Sequence, residues 1–295
     1  MNILLTGSTG FLGTIIIKEL NSNNKIFTLS RTNSDYNFDL SNKIPLFKDT
    51  FDLVVHCAGK AHQVPQNEID IKSFFNTNVN GTLNLLKGFT LNNLPKYFVL
   101  ISSVAVYGIK NGELINEDSP LLANDPYGKS KIEAEKIVLN WCKENNVIFT
   151  ILRLPLIIGD NPKGNLSSMI KAINKGYYFN IDSGKSRKSI VSALNVANII
   201  PKVATIGGIY NLTDGYNPTV SELSHYYLNF SSKKRKIPDI PYWLAKLISI
   251  IGDILGDKFP INSEKLTKIT NNLTFDDSKA RNVLHWNPES IFNPK

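Results

Sequence analysis

Cysteine and histidine are scarce in this chain of 295 residues. Two cysteines, Cys57 and Cys142, cannot build a disulfide framework, which fits a reducing compartment. Four histidines, none grouped with cysteine at ligand spacing, leave no pattern for a metal centre, and no metal ligand is expected. Long apolar runs are missing too. The nearest approach, Ile240 to Leu255, is broken by Lys246 and Asp253, so no membrane span is expected. Met1-Asn2 leads straight into Ile3-Leu4-Leu5, without the basic and apolar regions of a secretory leader; a cytoplasmic location is the expectation. Nucleic-acid signatures are absent as well. The net charge is +8, but the lysines are scattered and no helix-turn-helix, zinc finger or RNA-binding motif goes with them. A positive balance also suits a protein that handles phosphate-bearing small molecules.

What is present is an ordinary globular composition, 42% hydrophobic and 20% charged, enough for one large core and a smaller second lobe. Apolar strands alternate with amphipathic helices through the first half, the pattern of a parallel sheet covered on both faces. Strands are expected at Asn2–Thr6, Lys25–Leu29, Leu53–Cys57, Tyr97–Ser102 and Phe149–Leu154. Helices are expected at Gly10–Leu20, Ile71–Thr90 and Tyr127–Lys143, the second with Phe74, Phe75, Val79, Leu83 and Leu86 toward the core. The fold class is α/β, a Rossmann-type doubly wound parallel sheet with a smaller, mostly helical lobe. Residues 1–157 form the dinucleotide domain, to which 189–215 return, while 158–188 and 216–295 make the substrate lobe.

The first strand runs into Thr6-Gly7-Ser8-Thr9-Gly10-Phe11-Leu12-Gly13, and a helix follows. This G-x-x-G-x-x-G is a variant of the dinucleotide fingerprint: Gly7 for the tight turn, Gly10 for approach to a pyrophosphate, Gly13 for close helix packing. Thr9, Phe11 and Leu12 join the glycines as candidate cofactor contacts, since amides at a helix start face phosphate. The second strand ends in Arg31 rather than the acid that holds a ribose 2′-hydroxyl. An arginine there pairs with a 2′-phosphate, which favours NADP, with NAD as the alternative if Asp35 folds back to the ribose. Asp39 and Leu40 are candidate adenine contacts.

Tyr127 and Lys131 stand four apart, one turn of helix. A phenol titrates near pH 10, and bringing it to neutrality takes roughly 4 kcal/mol, which a nearby ammonium can supply. Tyr127 is then the proton donor and acceptor, and Lys131 also orients a nicotinamide ribose. Ser103, at the carboxyl end of a strand, opens into the crevice where such sheets bind ligands and can hold a substrate oxygen against Tyr127.

These residues resemble the extended short-chain dehydrogenase/reductase family, also labelled NAD-dependent epimerase/dehydratase. The resemblance takes in Thr6–Gly13, Val55-His56-Cys57-Ala58-Gly59, Asn78-Val79-Asn80-Gly81-Thr82, Ser102–Gly108, Pro126–Lys131 and Leu152-Arg153-Leu154-Pro155. It also takes in the closing segment Ser278–Arg281 with Leu284–Pro288. It implies a catalytic Ser103, Tyr127 and Lys131 with Asn78 as a structural fourth member. Ala58, Gly59, Lys60 and Ser102 would line the cofactor, and Leu154 and Pro155 would abut the nicotinamide. In the nucleotide-sugar branch, Ser103, Val104, Asn165 and Lys188 would meet a nucleotide-diphosphate sugar used for surface polysaccharide. Lys188 stands where arginine is usual, with Arg187 beside it as a substitute of different phosphate geometry.

The sugar 4,6-dehydratases of this family carry an Asp-Glu pair after the catalytic hydroxyl; here Val104 and Ala105 stand there, which speaks against dehydration. Arg31 and the short stretch Thr32–Asp52 favour an NADPH-dependent 4-keto sugar reductase, with a 4-epimerase holding NAD as the alternative. A non-catalytic dinucleotide sensor of the same fold is a third reading, set back by the Tyr/Lys pair. Many relatives dimerise through helices matching Ile71–Thr90 and Tyr127–Lys143, so a homodimer is expected. Lys233–Lys236 followed by Tyr242-Trp243-Leu244, Leu247, Ile248, Ile250, Ile251 and Ile254 reads first as a buried helix beside a solvated basic run. The other reading is weak peripheral attachment to an anionic membrane.

Overall fold

Strands buried on both faces need consecutive apolar residues, and β1 (Asn2–Thr6) supplies them at Ile3, Leu4 and Leu5. The computed structural model describes residues 1–61, 65–91, 93–232, 235–256 and 261–292. In chain order after β1 come α1 (Phe11–Leu20), β2 (Lys25–Ser30), β3 (Tyr36–Asn37), β4 (Leu53–His56), α2 (Glu68–Phe75), a π-helical turn (Asn76–Asn80) and α3 (Gly81–Thr90). Then follow β5 (Tyr97–Ser103), β6 (Gly112–Ile115), α4 (Pro126–Glu144), β7 (Ile148–Leu154), β8 (Leu156–Ile158), α5 (Asn165–Lys175) and β9 (Asn180–Ile181). The rest is β10 (Ile190–Ser192), α6 (Ala193–Ile206), β11 (Gly208–Asn211), α7 (Val220–Asn229), β12 (Asp239–Ile240), α8 (Tyr242–Leu255), α9 (Ser263–Thr270), β13 (Leu273–Phe275) and α10 (Ser278–Leu284).

The central sheet has the order β11-β7-β5-β4-β1-β2-β3, and every pairing in it is parallel. Ile3 and Leu5 enter one core, with Ile16 of α1, Ile200 of α6 and Leu284 and Trp286 of the closing segment. Leu4 enters the other, with Leu85 and Phe89 of α3 and Val138 of α4. This is the doubly wound α/β sheet that the alternation of elements predicts. β11 pairs with β7 in this sheet, whereas β10 pairs with β8 outside it.

Two helical expectations are corrected. The helix expected over Ile71–Thr90 starts earlier, at Glu68, and is interrupted by the π-helical turn. Of its presumed core residues, Phe74 and Leu86 are buried, but Phe75, Val79 and Leu83 are only half-buried. They fall at every fourth position, so they share one stripe, turned from the sheet. Helix α8 is not the buried helix favoured by its composition: Ala245, Ser249 and Gly252 face inward, while its larger apolar side chains are exposed. Arg235 and Lys236 of the basic run are exposed; Lys233 and Lys234 lie outside the described residues. Among the described residues no helix is long and apolar enough to cross a membrane, and none group into a metal site.

Candidate active site

The glycine loop is shaped by close approach. Gly7 has φ +71, and a Cβ there would come within 2.7 Å of the Ala58 nitrogen; one on Gly13 would come within 2.2 Å of the Gly7 carbonyl oxygen. No side chain caps α1 at Gly10 and no acid lies in its first turn, so its amides are free of a competing anion. The Ser8 hydroxyl is buried with no hydrogen-bond partner among the described residues. An orphaned hydroxyl in a glycine-rich loop at a helix start fits a pyrophosphate, which would satisfy both the hydroxyl and the helix amides. Ser8 was missed by the sequence reading because only its missing partner singles it out. Leu12 is buried in the core, and the Phe11 ring lies against Gly159.

Around this loop the other candidates divide. Asp35 does fold back, but its carboxylate accepts from the Thr28 amide and hydroxyl at 2.8 and 2.7 Å. Those bonds hold it below the usual carboxylate range, so it is spent within its own loop. Arg31 is exposed at the end of β2. Asp39 accepts from the Ser41 amide and the Asn42 side chain, and Leu40 is buried in the second core, so both brace the turn that follows.

The Asp125 side chain accepts from the Gly128 amide, and Pro126 occupies the first turn. That cap starts α4 where Tyr127 falls in its opening turn and Lys131 one turn on. Ser103 ends β5, and its Oγ accepts from the Ala105 amide. Tyr127 packs against Phe74, with ring centroids 6.1 Å apart. Burial pushes the phenol above its ordinary value, and Ser103 beside it opposes this. The expected lowering by Lys131 is not what sets the phenol here: burial is the largest influence, and it raises the phenol. Lys131 instead donates to the Ile101 carbonyl at 2.6 Å, and burial pulls its ammonium down to about 8.

Asn78 lies in the π-helical turn, where the widened backbone brings it to two partners at once. Its amide oxygen accepts from the Lys60 N–H at 2.7 Å, and its Nδ2 donates to the Lys60 carbonyl at 3.0 Å and to Ser130 Oγ at 2.8 Å. Ser130 in turn donates to the Tyr127 carbonyl. Ala58, Gly59 and Lys60 are thus pinned to the start of α4. A second relay, unread in the sequence, runs beneath it. Thr82 donates to the Asn78 carbonyl, so its oxygen accepts from His56 Nε2 at 2.9 Å. His56 Nδ1 is then the bare nitrogen and accepts from Thr6 at 2.7 Å. Thr6 Oγ accepts from the Ala58 amide. Burial holds His56 neutral, its imidazolium pulled down to about 3.

Two further assignments change. The Ser102 hydroxyl points to Glu135, at 2.5 Å, which itself pairs with buried Arg153 at 2.8 Å. Only the Ser102 main chain is left for a cofactor, because alternation along β5 sends neighbouring side chains to opposite faces. The Lys188 ammonium donates to the Lys268 and Asn271 carbonyls at the end of α9, the usual partner of a helix C-terminus, and burial pulls it down to about 8. It fastens its own segment to the end of α9 instead of presenting a cation. Arg187 is exposed and donates to the Asn217 carbonyl at 2.9 Å. Asn165 is exposed at the start of α5. Leu154 pairs with Ser103 across β5 and β7 and is buried, with Pro155 and Val104 half-buried close by in the chain.

Known proteins agree with this architecture. UDP-glucose 4-epimerase of Vibrio cholerae is 28% identical over 97% of this chain and 90% of its own length. The N-acetyl-alpha-D-glucosaminyl-diphospho-ditrans,octacis-undecaprenol 4-epimerase of Escherichia coli O157:H7 is 28% identical over 95% of this chain and 88% of its own. Among solved structures, MoeE5 in complex with UDP-glucose and NAD superimposes with a TM-score of 0.75, covering 98% of this chain and 94% of that one at 18% identity, a likeness of fold. The sequence model of the NAD dependent epimerase/dehydratase family matches residues 3–212, from the first strand to the end of the central sheet. With the glycine loop, the serine–tyrosine pair and the doubly wound sheet all inside that span, the chain belongs to the NAD dependent epimerase/dehydratase family.

Proposed function

We propose that this chain is an enzyme that inverts C4 of a nucleotide-diphosphate sugar, using a retained NAD. The observation that carries the reading is Ser103 at the end of β5 with Tyr127 and Lys131 one turn apart at the start of α4. Val104 and Ala105 follow Ser103, without the acid and base that water elimination requires. Two 4-epimerases aligning with nearly the whole chain support inversion over net reduction.

When bound, the nicotinamide supplies a reversible hydride acceptor. Gly7, Gly10, Gly13 and Ser8 would hold the pyrophosphate, with Thr9, Phe11 and Leu12 around it. Ala58, Gly59 and Lys60, braced by Asn78, would flank the nicotinamide half with Leu154 and Pro155. Tyr127 would take the proton of the sugar 4-hydroxyl as C4 gives up its hydride, and would return that proton to the same oxygen once the ketone has turned and the hydride is restored to the opposite face of C4. Ser103 holds the same oxygen, and Lys131 sets the local charge. Arg187 and Asn165 are the proposed contacts to the nucleotide sugar. Residues 1–157 with 189–215 would form the cofactor domain, and 158–188 with 216–295 the substrate lobe. The half-buried stripe of Phe75, Val79 and Leu83 supports a homodimer through α2 to α4.

The second reading is the NADPH-dependent 4-keto reductase, favoured by exposed Arg31 and by the engagement of Asp35 with Thr28. Incubation of the pure protein with UDP-sugars, and with 4-keto sugars plus NADPH, separates the two. Exchange of C4 isomers without net loss of reduced cofactor supports the epimerase. Stoichiometric NADPH loss on the ketone, with no isomer exchange, replaces it with the reductase.

A further inference from the structure

Helix α8 is built with its small residues inward. Ala245, Ser249 and Gly252 are its buried positions. Trp243, Leu247, Ile250, Ile251 and Ile254 are 64, 54, 48, 53 and 81% exposed. A contiguous apolar face of this kind marks an interaction surface. Its charges point to one occupant. The acid of the helix, Asp253, is turned to the start of α9, where it accepts from the Ser263 amide and hydroxyl at 2.9 and 2.5 Å. Asp239, just before the helix, accepts from Ser183. Lys246 on the helix and Arg235 and Lys236 ahead of it are exposed. None of the three forms an ion pair among the described residues.

We propose that α8 docks on an anionic lipid surface and lies in the headgroup plane. Its large apolar side chains would enter the acyl boundary, and Lys246, Arg235 and Lys236 would meet lipid phosphates. With 14 residues, at about 1.5 Å each, the helix is too short to cross an apolar layer of about 30 Å. A second copy of the chain fits this face less well. A twofold contact repeats the same patch on both sides, doubling its excess of cations, since among the described residues Arg235, Lys236 and Lys246 face only Asp239 and Asp253, both held by serines.

The experiment is sedimentation of the full chain with vesicles of phosphatidylcholine and phosphatidylglycerol, alongside phosphatidylcholine alone. The expected result is binding to the anionic vesicles that weakens with salt, and a shift of Trp243 emission to shorter wavelength that Trp243→Phe lacks. The double substitution Ile251→Glu/Ile254→Glu should lower the partition constant by about a hundredfold or more, with an unchanged thermal midpoint. Tyr127→Phe should bind vesicles like the parent chain, which keeps this surface independent of the sugar chemistry. Failure to sediment at low salt overturns the proposal. Equal binding by the doubly substituted chain overturns it too, as does self-association through this face without vesicle binding.

Discussion

Tyr127 and Lys131 share one face of α4, yet burial governs both of them. The phenol is raised and the ammonium is lowered to about 8, so Ser103 is the group that opposes desolvation of the phenol. Tyr127→Phe should lower kcat by about a hundredfold to ten-thousandfold, with the cofactor still bound by tryptophan quenching or equilibrium dialysis; a smaller loss would dismiss Tyr127 as the proton carrier. Lys131 is charged below about pH 8, so kcat/KM should fall as pH rises through that value. Activity surviving in Lys131→Arg should lack this descending limb. Stability moves the other way. Between about 8 and the ordinary lysine value near 10.4 the unfolded chain holds the proton and the folded chain does not, so stability rises with pH there. His56 gives the acid counterpart. Its folded value of about 3 lies below the ordinary 6.5, so the stability it confers is lost as pH falls from 6.5 toward 3. His56→Phe leaves the Thr6 hydroxyl without its acceptor and Thr82 without a donor and should cost about 2–3 kcal/mol in urea unfolding at neutral pH, with a shallower acid dependence and weaker binding of the cofactor.

At the scale of elements, β1, the glycine loop and α1 act as one unit because Gly13 sits on the Gly7 carbonyl. A methyl at 2.2 Å must displace backbone, so Gly13→Ala should abolish dinucleotide binding in calorimetry. Between α4 and β7 the fastening is electrostatic. Glu135 and Arg153 are 4–5% exposed, and Ser102 and Tyr107 satisfy their remaining groups. Breaking such a pair from one side leaves an uncompensated buried charge, so Glu135→Gln should lose about 3–5 kcal/mol. The double change Glu135→Leu/Arg153→Met should recover much of that loss, which denaturant titration of the parent and the two variants would measure.

At the scale of the whole molecule, the closing segment completes the fold by returning to the sheet. Trp286 is buried in the first core and its indole donates to the Thr213 carbonyl at 2.7 Å. Trp286→Ala should therefore cost about 3–5 kcal/mol, seen as a lower thermal midpoint of the entire chain and not as local fraying. Lys188 fastens its own segment to the end of α9 in a comparable way, so Lys188→Met should lower stability, leaving any phosphate contact to Arg187.

The amino-acid sequence alone determined what depends on neighbours a few residues apart. The alternation of strand and helix, the spacing of Gly7, Gly10 and Gly13, and the one-turn separation of Tyr127 and Lys131 are local properties, set by the periods of strand and helix. Tertiary structure decided everything that needs a partner distant in the chain. Lys188 meets Asn271, 83 residues away, and so serves a helix end in place of a phosphate. Ser8 is recognised only because folding buried it without a partner. Helix α8 has the composition of a core element and an outward face, because a stripe of small residues lets it pack from the other side. Periodicity tells which residues share a face; only the packed chain tells what that face meets.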